Sequence, residues 1–165
     1  MSTAMIWQIK STNSADTELL GECLGSQLRG NEVIELRSDL GGGKTTLVRG
    51  LVRGAKIEDR VSSPTFTINR VYKNKKLQIH HFDFYRLDNP GILKEQLAEA
   101  IDTKKAVVVV EWASIVDDIL PEERITIDFG PVAGDFNERQ ITINYSEKQA
   151  GLIAKAETAW TKANQ

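Results

Sequence analysis

The chain has one cysteine, Cys23, two histidines, four prolines and only 7% aromatic residues. A single cysteine excludes an internal disulfide framework and suits a reducing cytoplasm, the expected location. His80 and His81 are adjacent, so on a strand they point to opposite faces and cannot share an ion; no His/Cys cluster suggests zinc. No apolar run approaches the roughly 20 residues of a spanning helix, so no membrane association is expected. The stretch Met1–Lys10 has neither a basic start nor a long apolar core, and no signal peptide is expected there. Repeats, low-complexity tracts and linkers are lacking too. The 165 residues, 41% hydrophobic and 27% charged, are therefore expected to form one soluble globular domain over 1–165.

What is present is uneven. The net charge is only −2, yet Lys44–Arg86 holds ten basic residues against three acidic ones, and Leu87–Glu138 holds four against twelve. The basic half, with Arg49, Arg53, Lys56 and Arg60, could face a nucleic acid or an acidic protein surface, or could simply be a solvated face. Cys23 shares a helical face with Leu19, Leu20, Leu24 and Leu28, which reads as a buried core thiol.

The densest signal lies at residues 36–47, Leu-Arg-Ser-Asp-Leu-Gly-Gly-Gly-Lys-Thr-Thr-Leu. The pattern G-x-x-x-x-G-K-[ST] finds Gly43, Lys44 and Thr45 in place, with Ser38 where the first glycine belongs. Upstream, Val33–Leu36 reads as a short strand; downstream, Leu47, Val48 and Leu51 recur at helical spacing. A glycine-rich turn from strand to helix curls its N–H groups around a phosphate, and the helix dipole adds to the attraction. Gly41, Gly42 and Gly43 supply that nest, Lys44 would reach the β- and γ-phosphates, and the Thr45 hydroxyl would ligate Mg²⁺. A serine at 38 must either keep an ordinary extended conformation or accept strain on the order of 1–2 kcal/mol; with Gly41–Gly43 still forming the nest, nucleotide binding is expected to survive, if weakened.

The order of elements predicts an α/β fold of three layers, like that of P-loop nucleotide hydrolases: a sheet with a parallel centre and antiparallel edge strands, helices on both faces. Residues 5–9 read as an edge strand, and Ser14 as the N-cap of a helix running to about Arg29, stopped by Gly30. The loop strand spans 31–37, and the loop helix runs from Lys44 to about Arg53, closed by Gly54. Thr67–Lys73 and Leu77–Asp83 read as a hairpin, and a helix opens at Asn89-Pro90-Gly91 and runs to about Ile101. Ala106–Glu111, apolar on both faces, reads as a central strand. Strands at Arg124–Phe129 and Arg139–Tyr145 bracket a polar loop, and a last helix runs from Glu147 to about Lys162.

Glu111 closes the valine strand. Four apolar residues and then a carboxylate, beside a loop strand, bring the acid to the Mg²⁺ of a P-loop site. In His80-His81-Phe82-Asp83-Phe84-Tyr85-Arg86, alternation places His81, Asp83 and Tyr85 on one face and the phenylalanines on the other. Asp83 could order metal-bound water or the attacking water; the same pattern also fits a hydrogen-bonded ladder on an exposed face. Ser62-Ser63-Pro64-Thr65-Phe66 follows the loop helix, where nucleotide switches place a hydroxyl-bearing segment.

Together these residues resemble the TsaE family, also called YjeE, small bacterial P-loop ATPases of tRNA threonylcarbamoyladenosine synthesis. The resemblance runs through Asp39–Leu47, Arg49-Gly50, Ser63–Phe66, Tyr72, His81-x-Asp83-x-Tyr85-Arg86-Leu87, Glu111-Trp112, Leu120-Pro121 and Arg139. It implies ATP on Gly41–Thr46, Mg²⁺ at Thr45 and Glu111, and catalytic roles for Lys44, Asp83 and Glu111. It also places the adenine around Ser14 and Arg139 near the nucleotide. It implies as partners the TsaB–TsaD pair, with slow hydrolysis supporting repeated transfer to tRNAs reading ANN codons; tRNA contact would be indirect or weak, and DNA has no part. Two departures stand out: Ser38, and Asn89–Leu97 in place of the family's usual Glu-Glu-Leu and following Leu-Gly. Two other readings remain at this point, a small-molecule kinase and a nucleotide-gated binding module without useful turnover.

Overall fold

The computed structural model describes residues 3–39, 41–63, 68–85 and 87–165. Leu40, Pro64, Thr65, Phe66, Thr67 and Arg86, all used in the sequence reading, lie outside the described residues.

Among the described residues, seven strands form one sheet: β1 (Met5–Ser11), β2 (Val33–Arg37), β3 (Asn69–Lys73), β4 (Gln78–Asp83), β5 (Ala106–Glu111), β6 (Ile125–Val132) and β7 (Asp135–Tyr145). Their order is β1-β7-β6-β2-β5-β4-β3. The centre β6-β2-β5-β4 is parallel, while β7, β1 and β3 pair antiparallel. That is the expected parallel centre with antiparallel edges. The run Val107–Val110 is buried on both sides because β5 lies between β2 and β4 with helices above and below.

Among the described residues, four α-helices cover the sheet: α1 (Ser14–Gly25), α2 (Lys44–Gly54), α3 (Ile92–Ile101) and α4 (Ala150–Ala163). Alternation along the central strands divides the core. Ile34, Leu36, Val107 and Val109 face α1, α2 and α4, with Leu20, Leu47, Leu51 and Ile153. Val33, Val108, Val110, Phe82 and Phe84 face the other side, with Leu97 of α3 and Val116 of a 3-10 turn over Ala113–Ile119 that follows β5. Cys23 is buried in the first of these cores, as expected, and burial raises its thiol pKa.

The contact between α1 and α2 is made by glycines. Gly21 and Gly25 lie four apart on α1, and Gly50 and Gly54 lie four apart on α2, so each pair shares one helical face. A Cβ on Gly21 would come 2.8 Å from Gly50 Cα, and one on Gly50 would come 2.8 Å from Gly21 Cα. A Cβ on Gly25 would meet Leu51 Cα at 2.8 Å, and one on Gly54 would meet the Ser26 amide nitrogen at 2.8 Å. Backbone therefore packs on backbone, with no side chain between, as only glycine permits.

This seam corrects two sequence expectations. Gly54 does not close α2 from outside; it is the last helical residue, kept small by α1, and Ala55 forms the C-cap. Nor does α1 reach Arg29: it ends at Gly25, and Ser26 caps it by donating to the Glu22 and Leu24 carbonyls. At its other end the N-cap is Asn13 rather than Ser14, because Asn13 Oδ1 accepts from the Asp16 amide at 2.9 Å. The β6–β7 hairpin is longer than expected, since Asp135–Glu138 joins β7 by turning at Ala133-Gly134.

The seam yields a stability test. Gly50→Ala forces a methyl into the α1 backbone and should lower the unfolding free energy by about 1–3 kcal/mol or more. Gly151→Ala on α4, where a Cβ meets nothing within 4 Å, should raise it by up to about 1 kcal/mol. Urea unfolding of both variants checks the contrast; equal effects would remove the seam from the account.

Candidate functional site

β2 delivers the chain to Ser38, the glycine loop returns it, and α2 begins at Lys44. Gly41 has φ 77 and Gly43 has φ 104, conformations that suit glycine. Gly43 is the N-cap of α2, so no side chain caps that helix. Its first amides are left to whatever occupies the cleft. Ser38 is not among the residues with positive φ. Of the two alternatives at Ser38, left-handed strain is absent: the left-handed turns fall on Gly41 and Gly43.

Across the loop, the parallel pairing of β4 with β5 sets Asp83 opposite Glu111. Both carboxylates are buried, 4% and 3% exposed. The phenylalanines beside Asp83 point into the opposite core, as the alternation required. Tyr85 departs from that alternation because β4 ends at Asp83; its amide donates to Asp83 Oδ1 at 2.9 Å, and its ring packs at 4.8 Å on Trp112. Exposed-ladder geometry is ruled out for His81 and Asp83, which lie under the cleft.

Glu111 joins two cations or potential cations. Its Oε1 lies 3.7 Å from Lys44 Nζ, and its Oε2 accepts from His81 Nε2 in a short hydrogen bond. Since a carboxylate only accepts, Nε2 carries the hydrogen. His81 is fully buried, and among the described residues its Nδ1 has no hydrogen-bond partner. Lys44 is also buried, 7% exposed; its ammonium donates to the Ser38 carbonyl at 3.0 Å and lies 4.7 Å over the Trp112 ring. Trp112 itself takes φ 56, the left-handed region, which a bulky residue enters only when its surroundings hold it there.

Two adjoining clefts share Gly41, Gly42, Gly43 and Thr46. The first, about 240 Å³, is lined by the loop, Lys44, Thr45, Ser63, Asp83, Glu111 and Trp112. The second, about 350 Å³, is bordered by Thr12, Asn13, Ser14, Thr17, Phe136, Asn137 and Arg139. The structure thus gathers Lys44, Thr45, Asp83 and Glu111 at one end and Ser14 and Arg139 at the other, while the singled-out Pro64, Thr65, Phe66 and Arg86 lie outside the described residues. Thr12, Asn13 and Phe136 were missed. Asn13 followed by Asp16 was a readable capping signal; Phe136, 96% exposed at a hairpin, carried none beyond being aromatic in a polar stretch.

On the reverse side of β2, Glu35 is buried and receives hydrogen bonds from Arg37 Nε and, at 2.9 Å, from Arg124 Nε. Burial pushes its pKa up, but those hydrogen bonds outweigh it and hold the carboxyl below its ordinary value. A carboxyl depressed in the folded state stabilises above its unfolded pKa and loses that contribution as pH falls through the folded value. Arg124→Met should therefore destabilise at neutral pH and flatten the acid limb of stability against pH. A second test concerns Glu111. His81→Ala strips a buried carboxylate of its donor and should cost about 1–3 kcal/mol in urea unfolding. His81→Asn, which keeps an N–H donor, should cost less; equal stabilities would show that the bond contributes nothing.

The TsaE family, described as threonylcarbamoyl adenosine biosynthesis protein TsaE, matches residues 11–141. The chain is 34% identical over 134 residues to the tRNA threonylcarbamoyladenosine biosynthesis protein TsaE of Bacillus subtilis, covering 81% of this chain and 82% of the relative. It is 36% identical over 116 residues to the Nostoc protein of that name, covering 68% and 72%. It is 34% identical over 133 residues to the one from Treponema pallidum, covering 81% and 96%. Its fold is similar to the crystal structure of Bacillus subtilis YdiB, with a TM-score of 0.78 and 28% identity over 96% of this chain and 98% of that one. With a matched span running from the end of β1 to the middle of β7, across both clefts, the chain belongs to the TsaE family of threonylcarbamoyladenosine biosynthesis.

Proposed function

We propose that this chain is a Mg²⁺-dependent ATP-binding and slowly ATP-hydrolysing protein that acts with the TsaB–TsaD pair in modifying tRNAs that read ANN codons, in the cytoplasm. One observation carries the ATPase reading. The uncapped N-terminus of α2, wrapped by Gly41–Gly43, faces two buried carboxylates on adjacent parallel strands across a cleft of about 240 Å³. Amides and a dipole at one wall attract phosphate, and Lys44 can exchange the Ser38 carbonyl for a phosphate oxygen. The second cleft, with Ser14 and Arg139 at its rim, extends the first in the direction a nucleoside would take.

The donors fit a hard cation. Thr45 offers a hydroxyl and Glu111 a carboxylate, both oxygen ligands, and Mg²⁺ takes one or two protein oxygens and fills its shell with water and phosphate. Among the described residues no cluster of three His, Cys, Asp or Glu side chains forms a closed metal cage, consistent with that sparse ligation. Mg²⁺ would neutralise charge on the transferring phosphoryl group. Lys44 would hold the β- and γ-phosphates, and Asp83, fixed by the Tyr85 amide, would orient the attacking water. A small-molecule kinase needs late arginines over the phosphates. Arg124 cannot serve, since it is spent on Glu35, Asp117 and the Pro121 carbonyl.

A basic groove behind α2 supports the partner reading. Arg49, Arg53, Lys56 and Arg60 border a groove of about 690 Å³ behind α2. Arg53 is held by Glu18 at 2.6 Å, whereas Arg49 is exposed. The groove's basic rim would attract an acidic face on a partner.

Lys44→Ala and Thr45→Ala should each cut ATP hydrolysis at least about a hundredfold. Asp83→Ala should spare binding yet stop turnover, while Glu111→Gln should weaken the Mg²⁺ dependence of binding. Phosphate release measured with and without TsaB–TsaD should show stimulation, and Arg49→Glu should reduce it in a salt-dependent way. Unchanged turnover in Lys44→Ala would sink the ATPase reading. Repeated tRNA modification without this chain would sink the partnership.

A further inference from the structure

Gly42 is the one member of the glycine triplet without a conformational reason to be glycine. Gly41 and Gly43 have positive φ, and Gly42 does not. A Cβ on Gly41 meets nothing within 4 Å, and one on Gly43 meets only side-chain carbons at 3.7 Å and beyond. A Cβ on Gly42 would overlap Ser38 Oγ and lie 2.8 Å from Ser38 Cβ. The first obstacle to a side chain at 42 is thus the side chain at 38, with the Asp39 carbonyl oxygen next at 3.1 Å.

Ser38 cannot readily give way. Its hydroxyl donates to the Asp39 carbonyl at 2.6 Å, and the Gly42 amide donates to that same carbonyl at 3.2 Å. The two ends of the turn are tied to one oxygen. The Ser38 carbonyl in turn receives Lys44 Nζ at 3.0 Å. A serine rotamer that made room for a methyl at 42 would break the bond to Asp39 and loosen the peptide that holds the lysine.

We propose that Ser38 is a positioning residue of the phosphate loop, interlocked with Gly42: its hydroxyl clasps the Asp39 carbonyl, fills the space beside Gly42, and fixes the turn that presents Lys44. Glycine at 42 is the complement of serine at 38, and the two positions act as one unit. The hydroxyl is spent inside the loop and is not a phosphate ligand. This deepens the nucleotide reading and rests on it for the binding measurement below.

A double-mutant cycle tests it, made of the unchanged chain, Gly42→Ala, Ser38→Gly and the double variant of these two, with Ser38→Ala combined with Gly42→Ala beside it. Calorimetric titration with Mg²⁺-ADP should show Gly42→Ala binding at least about tenfold more weakly than the unchanged chain. The double variant should return to within about threefold of Ser38→Gly alone, because the methyl then meets no serine. Ser38→Ala, which removes Oγ but keeps the Cβ at 2.8 Å and loses the clasp, should relieve Gly42→Ala less than Ser38→Gly does. Thermal midpoints of the same set should follow the same order of loss and rescue. Additive effects in the cycle, or Gly42→Ala binding like the unchanged chain, would overturn the interlock. Should the unchanged chain fail to bind Mg²⁺-ADP, the nucleotide reading falls, and the midpoints alone decide whether Ser38 and Gly42 are coupled.

Discussion

Everything at the cleft depends on how closely two helices approach. Four glycines remove the layer of side chains that ordinarily separates packed helices by about 8–10 Å, and the backbones of α1 and α2 come into direct contact. α2 begins at the loop, and α1 begins at Asn13. Drawing them together brings the first turn of α1 to the loop as a second wall. Thr12, Asn13 and Thr17 border the glycines for that reason. A single alanine in the seam would push the walls apart along their whole length, so the width of the cleft is set by residues that never touch its contents.

The electrostatics follow from burial on the other side. Lys44, Glu111 and His81 are all withdrawn from water, and a buried charge left alone is expensive. They satisfy one another in a chain: His81 on Glu111, Glu111 near Lys44, Lys44 on the Ser38 carbonyl and the Trp112 ring. Such a chain is compact but rearrangeable, because the contact at 3.7 Å between Lys44 and Glu111 is an ion pair rather than a hydrogen bond. Arrival of an anion beside Lys44 would let the ammonium exchange partners within an existing network.

Much of this was legible in the residues. The glycine loop, the valine strand and the alternation around Phe82 have short periods, and each records a local requirement: positive φ, burial on both faces, one apolar face. The placement of Glu111 against Asp83 followed once both strands were parallel neighbours. What was not legible depends on pairs of positions far apart in sequence. Gly21, Gly25, Gly50 and Gly54 read singly as weak helix residues or as a stop at Gly54, because only the facing backbone shows why they are small. Ser38 read as a flaw in a pattern, since its compensation lies at Gly42 and is spatial. His81 gave no sign of its bond to Glu111, thirty positions away, and Tyr85 left the strand register because β4 ends two residues earlier.

Trp112 adds a consequence of an optical kind. Its indole lies under the Lys44 ammonium and against the Tyr85 ring, while Trp7 and Trp160 pack in the core that α4 covers. The excited state of an indole is strongly dipolar, so its emission responds to a point charge held over the ring face. Withdrawal of the ammonium changes that field for one of the three tryptophans alone. The protein therefore carries, at the residue following its buried glutamate, a native fluorophore for the position of its own lysine.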